Sequence, residues 1–501
     1  MLRSIRRLVA IVFFAFITLL FLDFTGTLHA WFGWMAKVQF LPAVLALNVG
    51  VVLILLGLTL LLGRVYCSVI CPLGVYQDIV SWVSGKRKKN RFRYLKALTG
   101  LRYGMLGVFV VALVAGMHSI VTLLAPYSAY GRIANNLLAP LYQWANNGLA
   151  YLAERMDSYT FYETEVWIGS LPTLIVAAIT LVLISILAWR GGRTYCNTIC
   201  PVGTVLGFLA KYSWMKPVID TEKCNGCGLC ARNCKASCID AKVHRIDYSR
   251  CVVCMDCIEK CKRGAISYTR RRPKLSTASI PTTENTPDKQ EVNDGRRAFL
   301  TATALAAAGA ALKAQEKKVD GGLAVIEKKQ KPHRSTRIEP PGAVSLRHFA
   351  QHCTACQLCV SVCPNDVLRP STDLQHLMQP EASYERGYCR PECTKCSEVC
   401  PAGAILPLTV EEKSSIQVGH AVWQKENCIC VTDEVECGNC ARHCPAGAIE
   451  MVPSDPANPK SIKFPAVNEE RCIGCGACEN LCPSRPFSAI YVEGHQVHKT
   501  V

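Results

Sequence analysis

The sequence predicts a composite fold: an integral membrane α-helical unit of four transmembrane helices, joined to two small cysteine-dense α+β domains. Three observations carry this. Half of the 501 residues are hydrophobic and 19% are charged, too apolar for a wholly soluble protein and too interrupted for a membrane-only one. Thirty cysteines recur in short, regular runs. The formal charge of +18 is unevenly placed, −5 on residues 345–501 and +23 on residues 1–344. That split argues against a uniformly basic nucleic-acid binder, and the composition excludes collagen-like, disordered and plain disulfide-scaffold classes.

Four apolar runs, residues 8–22, 40–63, 101–124 and 171–189, approach the ~20 residues that cross a ~30 Å hydrocarbon core. The first is the shortest and also reads as a buried core helix. Arg3, Arg6 and Arg7 precede it, six Lys or Arg fill residues 86–93, and Arg190 and Arg193 follow the fourth run. The other two loops carry aromatics instead, Trp31 and Trp34 in residues 23–37 and several Tyr and Trp in residues 126–169. Basic loops stay in the cytoplasm and aromatics favour the interface, so both ends of this unit, residues 1–210, are expected to face the cytoplasm.

The unit repeats internally. Arg64-Val-Tyr-Cys67-Ser-Val-Ile-Cys71-Pro72-Leu-Gly74 matches Arg193-Thr-Tyr-Cys196-Asn-Thr-Ile-Cys200-Pro201-Val-Gly203 at Arg, Tyr, Cys, Ile, Cys, Pro and Gly. Two half-sites around a pseudo-twofold axis bring four thiols together, and four thiolates suit zinc or an iron–sulfur cluster. Small buried turn residues or redox-active dithiols fit the same pattern. Cys67, Cys71, Cys196 and Cys200 are therefore candidates for an additional cluster or metal.

Residues 211–270 turn basic and carry Cys224-x2-Cys227-x2-Cys230-x3-Cys234 and Cys251-x2-Cys254-x2-Cys257-x3-Cys261. This is the spacing of a ferredoxin-like domain with two [4Fe–4S] clusters, in which the fourth cysteine of each run serves the other run's cluster. Three thiolates on a tight loop cap three irons, and the fourth ligand must arrive from another direction. Zinc is a minor alternative, since it favours two CxxC pairs with a wider gap. Lys235 and Lys262 stand where proline usually follows the fourth cysteine, and Cys238 falls outside the ligand set.

Residues 271–295 form a Ser/Thr/Pro-rich linker. Residues 296–314 read as a twin-arginine signal or anchor: Arg296-Arg297-Ala298-Phe299-Leu300 precedes a short Ala-rich apolar run, with no clean cleavage site, so this segment is a candidate fifth membrane helix. A basic spacer, residues 315–344, leads to an acidic second ferredoxin-like domain, residues 345–501. Its four runs are Cys353, Cys356, Cys359, Cys363; Cys389, Cys393, Cys396, Cys400; Cys428 or Cys430 with Cys437, Cys440, Cys444; and Cys472, Cys475, Cys478, Cys482. Pro-Ala-Gly-Ala-Ile follows both Cys400 and Cys444, marking copies of one unit. Six [4Fe–4S] clusters and the four repeat cysteines account for all but Cys238 and one of Cys428/Cys430. Disulfides would leave this spacing unexplained.

Residues 1–270, with their helices, paired CxxxCP motifs and dicluster segment, resemble the NapH/MauN membrane quinol dehydrogenase subunits. Residues 296–501 resemble the NapG/MauM four-cluster ferredoxins. The resemblance implies a fusion in the bacterial cytoplasmic membrane, with residues 211–270 cytoplasmic and residues 345–501 periplasmic. It implies electron flow from the membrane quinol pool through [4Fe–4S] clusters to a periplasmic redox protein or reductase, such as a c-type cytochrome. Four-cluster relatives imply that the first C-terminal run shares clusters with the fourth, and the second with the third. Quinol, as diffusible substrate, needs ionisable groups near the outer face, and Asp23, His29 and His118 are the candidates. Two alternatives stand beside this reading. The CxxxCP unit also resembles the NosR and CcoG proteins, which implies electron donation for metalloenzyme maturation or repair. A conduit from a cytosolic ferredoxin to a periplasmic partner needs no quinol. No CxxCH, HExxH or phosphate-cradling glycine motif is present, and no nucleic-acid partner is expected.

Overall fold

The computed structural model describes residues 2–23, 26–87, 92–158, 160–164, 166, 170–270, 319–320, 324–325 and 327–500. The linker, the twin-arginine segment with Arg296 and Arg297, and the start of the basic spacer lie outside the described residues. The chain forms two compact units, one of residues 1–271, 331–484 and 488–501, the other of residues 272–330 and 485–487.

In the larger unit, α1 (Leu2–Leu22) is followed by α2 (Thr27–Phe32) and α3 (Trp34–Lys37), then α4 (Phe40–Leu45) and α5 (Val49–Leu62). Stacking of Phe16 on Phe32 at 4.1 Å and an edge contact of Phe13 with Trp34 show that α2 and α3 descend along α1. α6 (Val65–Val69) and α7 (Pro72–Arg87) complete the first half. The second half comprises α8 (Thr99–Val114), α9 (His118–Leu124), α10 (Pro126–Ile133), a π-helical turn over Ala134–Leu138, α11 (Ala139–Glu154), α12 (Leu171–Gly191), α13 (Thr194–Thr198) and α14 (Pro201–Ala210).

Of the four predicted spans, two are unbroken. Among the described residues, α1 and α12, each 21 residues, are long and apolar enough to cross a membrane. The run 40–63 breaks at Leu47 (φ 51) and the run 101–124 at Gly116 (φ 73). Both breaks use the same stop: Asn48 N–H bonds Ala43 O and Met117 N–H bonds Ala112 O, the six-residue closure of a helix ending in a left-handed residue. Hydropathy misses them because the chain is equally apolar on both sides. At each break the chain doubles back. Phe40 N–H donates to the Tyr66 hydroxyl near the far end of α5 at 3.0 Å, and Leu124 O accepts from the Tyr195 hydroxyl at 2.9 Å. The half-helices α4 and α9 are thus re-entrant, ending on the tyrosines of the two CxxxCP motifs.

The first ferredoxin segment carries β1 (Met215–Ile219), β2 (Ile239–Asp240), β3 (Arg245–Ile246) and β4 (Ile266–Arg270), with β1 antiparallel to β4 and β2 to β3. The smaller unit contributes β5 (Val319–Asp320) paired antiparallel with β6 (Ala324–Val325). The C-terminal domain holds β7 (Leu368–Pro370) with β8 (Pro380–Ala382), β9 (Ile416–Trp423) with β12 (Ile490–Thr500), and β10 (Ile449–Pro453) with β11 (Lys463–Val467). Apart from the β9–β12 pair these ladders are short, because the thiol loops between them, rather than sheet area, organise each domain.

The two ferredoxin parts pack on opposite ends of the helical unit. Residues 215–270 meet the N-terminus of α1 through Arg3, which pairs with Asp256 at 2.7 Å and with Glu259, and the C-terminus of α5, whose Leu62 O accepts from Tyr268. The C-terminal domain meets the other end. Lys395 lies against Gly26, Ser119 donates to Leu374 O and Gln375 O, and Gly403 lies against Ala46 in the α4–α5 turn.

A row of cysteine sets

In the first ferredoxin segment, Cys224, Cys227, Cys230 and Cys261 line one cavity, and Cys234, Cys251, Cys254 and Cys257 line another. Positive φ after the second cysteine of each loop, 69° at Gly228 and 62° at Met255, turns the third thiol inward. Cys238, outside the regular spacing, is buried 3.5 Å from Cys234 Sγ and lines the second cavity with the other four thiols. Lys235 has a reason to replace proline: its ammonium reaches Asp256 at 3.1 Å and Asp78 of α7 at 3.5 Å, tying this set to the helices. The cationic neighbours keep the Asp256 carboxyl ionised below its ordinary range despite burial.

The two CxxxCP motifs meet in the interior. Cys67, Cys71, Cys196 and Cys200 are all buried and lie within electrostatic reach of one another. The motifs exchange arginines. Arg64 donates to Cys196 O at 3.1 Å and faces Cys67 Sγ at 3.7 Å; Arg193 donates to Cys67 O at 2.7 Å and faces Cys196 Sγ at 3.9 Å. Gly74 and Gly203 permit the crossing, since a Cβ there would stand 2.1 Å from Cys67 O and 2.2 Å from Cys196 O. Arg193 is neutralised by Asp78 at 2.8 Å, whereas Arg64 bonds Asn197 Oδ1, Ser249 O and Cys196 O and has no carboxylate among its bonds. A guanidinium with 0% exposure needs a negative counterpart. Thiolates at these four cysteines would supply one. Ser249 also places Arg64 two residues from Cys251, so the same side chain spans this quartet and the neighbouring set.

Above the quartet lie the re-entrant segments, and the C-terminal domain plugs into them. The loop Cys353–Cys359 seats on α10: a Cβ on Gly131 would stand 2.1 Å from Cys356 O, Ser128 Oγ donates to Thr354 O, and Asn136 donates to Gln357 Oε1 at 2.8 Å. Gln357 has φ 64 where the corresponding positions after Cys227, Cys437 and Cys475 are Gly228, Gly438 and Gly476. A side chain there is strained, and its bonds to Asn135 and Asn136 offset the strain. Leu124, bonded to Tyr195 beside Cys196, and Ser128, bonded beside Cys356, are four residues apart. Such a run spans at most ~14 Å.

The C-terminal thiols pair differently from the arrangement implied by resemblance. Cys353, Cys356 and Cys359 gather with Cys400, and Cys389, Cys393 and Cys396 with Cys363. Cys472, Cys475 and Cys478 gather with Cys444, while Cys428, Cys437 and Cys440 gather with Cys482. Run one thus exchanges with two, and three with four. Each partner helix follows its loop directly, so neighbours in sequence close the sites. Cys428 neighbours Cys440, and Cys430 lines the same cavity. Cys389 N–H bonds Cys475 O at 2.9 Å, joining the two pairs. Desolvation raises the thiols of Cys356, Cys440 and Cys475 to about 12, so holding these as thiolates requires a bound cation or cluster.

Of the proton-site candidates, Asp23 and His29 come together: Asp23 accepts from Gly26 N–H and Leu28 N–H and faces His29 Nδ1 at 3.2 Å. Among the described residues His29 Nε2 is buried without a partner. His118 stands apart, within reach of His376 and Arg337 of the C-terminal domain. The sequence carries no sign of the roles of Asp78, of Gln77, whose amide donates to Cys196 Sγ at 3.2 Å, or of Gln357. Arg64, Arg193, Tyr66 and Tyr195 were signalled, since they recur in both motif copies.

Among the described residues, no three His, Cys, Asp or Glu side chains converge closely enough to grip one metal ion. A ferredoxin-type iron–sulfur electron-transfer protein is what this geometry defines. The 4Fe-4S binding domain model matches residues 44–90 and 170–220, and the 4Fe-4S dicluster domain model matches residues 435–485. The ferredoxin-type protein NapG of Escherichia coli is 32% identical over 202 residues, covering 38% of this chain and 81% of that protein. The chain belongs to this NapG ferredoxin-type family. The methylamine utilization ferredoxin-type protein MauM of Methylobacillus flagellatus is 29% identical over 166 residues, 32% of this chain and 70% of its own length. The uncharacterized protein MJ0749 of Methanocaldococcus jannaschii is 35% identical over 95 residues, 19% of this chain, which spans 37% of that protein. No solved structure matches.

Proposed function

We propose that the chain is a membrane electron conduit of the quinol dehydrogenase type, a NapH-like helical unit fused to a NapG-like ferredoxin. Six [4Fe–4S] clusters would occupy the ferredoxin sets, and Cys67, Cys71, Cys196 and Cys200 a further iron–sulfur site between them. The observation that supports the reading is that thiol sets lie at one end of the helices, in their interior and at the other end. A ~30 Å hydrocarbon core separates the two faces, and the re-entrant segments bring Leu124, bonded to Tyr195 beside the quartet, within four residues of Ser128, bonded to the first C-terminal loop. The Asp23–His29 pair is placed to take quinol protons, with Lys395, next to Cys396, nearby. Electrons then leave through the C-terminal sets toward an acceptor on the periplasmic side.

Purified protein in nanodiscs, mixed anaerobically with a short-chain menaquinol, tests this by bleaching of the cluster absorbance. Quinol is expected to reduce part of what dithionite reduces, and His29→Gln to lose the quinol response alone. Full dithionite bleaching with no quinol response in the unmutated protein refutes quinol as donor. A second reading has its own support: Cys227 is exposed amid Lys223, Lys262 and Arg263, a rim suited to an acidic soluble donor such as a ferredoxin.

A further inference from the structure

Four tyrosines, Tyr66, Tyr127, Tyr130 and Tyr195, are buried in the layer between the quartet and the C-terminal domain. Three have hydroxyl partners: Tyr66 donates to Gln39 Oε1 at 3.0 Å, Tyr130 shares a proton with Thr18, and Tyr195 donates to Leu124 O. Among the described residues the Tyr127 hydroxyl has none, although the residue is 2% exposed. Leaving such a group unbonded is costly, and buried hydroxyls in native structures almost always find acceptors. Cys356, Cys400 and Tyr130 lie close enough to act on it electrostatically, Tyr130 is committed to Thr18, and α10 itself meets Cys356 at Gly131. Cys356 and Cys400 belong to the first C-terminal set.

We propose that the Tyr127 hydroxyl donates a hydrogen bond to a sulfur of the iron–sulfur group held by Cys353, Cys356, Cys359 and Cys400. This rests on reading those thiols as cluster ligands. The donor belongs to α10 of the helical unit, not to the ferredoxin domain, so docking of the domain tunes the potential of its own entry centre. A donor to sulfur favours the more negative, reduced state and raises the potential. Tyr127 is a positioning residue of this kind: it changes the centre's energy without ligating it.

The test is an EPR-monitored redox titration of the full-length protein with dithionite and mediators, which needs no quinol. Tyr127→Phe is expected to make one centre about tenfold harder to reduce, 59 mV for a one-electron couple, with iron content and the other centres unchanged. Tyr130→Phe, whose hydroxyl is already bonded to Thr18, should leave every potential in place. An exchangeable-proton coupling at that centre, seen by ENDOR in the unmutated protein, should vanish in Tyr127→Phe. Unchanged potentials in Tyr127→Phe, or no such coupling in the unmutated protein, overturn the proposal. Protein lacking iron–sulfur EPR signals altogether would instead overturn the cluster reading beneath it.

Discussion

Adding one methyl group to α10 should release the first C-terminal loop. In Gly131→Ala the new Cβ would stand 2.1 Å from Cys356 O, 3.0 Å from Cys356 C and 3.2 Å from Phe21 Cζ. Carbon and carbonyl oxygen approach to ~3.3 Å at closest, so the loop must withdraw by about 1.2 Å. Both sides of the contact are backbone, and a side-chain rotation cannot relieve it. Overpacking of this kind costs about 1–3 kcal/mol, which is about a 5–150-fold loss in the docking equilibrium. Hydrogen–deuterium exchange by mass spectrometry reads it directly: protection of the amides at 354–359 should fall by that factor. Helix weakening is not an alternative cause, because replacing glycine by alanine inside a helix stabilises it by about 0.5–1 kcal/mol. Gly148→Ala on α11, with nothing within 4 Å of its Cβ, is the control and should leave the loop protected. Unchanged protection of 354–359 in Gly131→Ala would refute the docking argument.

Asp78→Asn should lower the melting temperature of the detergent-solubilised protein, since it leaves Arg193, Arg6 and Lys235 facing one another without their shared anion; losing one partner of a buried pair costs about 3–5 kcal/mol. Lys413 donates its ammonium to Arg390 O and Cys393 O and helps hold Cys389 down against burial; in Lys413→Met the centre at Cys389, Cys393 and Cys396 should become harder to reduce in a redox titration. Burial pulls His498 down from 6.5 to about 4. Its neutral form is favoured in the folded chain, so the stabilisation is complete above pH 6.5 and is lost as pH falls through about 4. Melting curves between pH 7 and 4 should therefore drop less steeply in His498→Gln than in the unmutated protein.

Much of the site was legible in the sequence because cluster ligation is local. Three thiolates must sit on one tight loop, so Cys224, Cys227 and Cys230 declare themselves by spacing alone, as do Cys353, Cys356 and Cys359. The duplicated Arg-x-Tyr-Cys-x3-Cys-Pro-x-Gly motif was equally plain, because each copy answers the same packing problem. Its arginines and glycines recur for a reason visible only in space, where each arginine crosses to the opposite motif over the opposite glycine. The unbroken apolar runs misled at 40–63 and 101–124, where Leu47 and Gly116 turn the chain back inside an equally apolar layer.

The sequence by itself determined the chemistry: thiol spacing, a helical apolar unit, a charge split and an internal repeat are properties of residue order. Tertiary structure decided which fourth cysteine closes which set, because that depends on the direction from which a following helix returns to a loop. It also decided that α10 carries the first C-terminal loop, through Gly131, Ser128, Asn136 and the strained Gln357. Contacts between residues more than 200 positions apart leave no period or spacing in the chain. They arise only when re-entrant segments open a seat and another domain fills it.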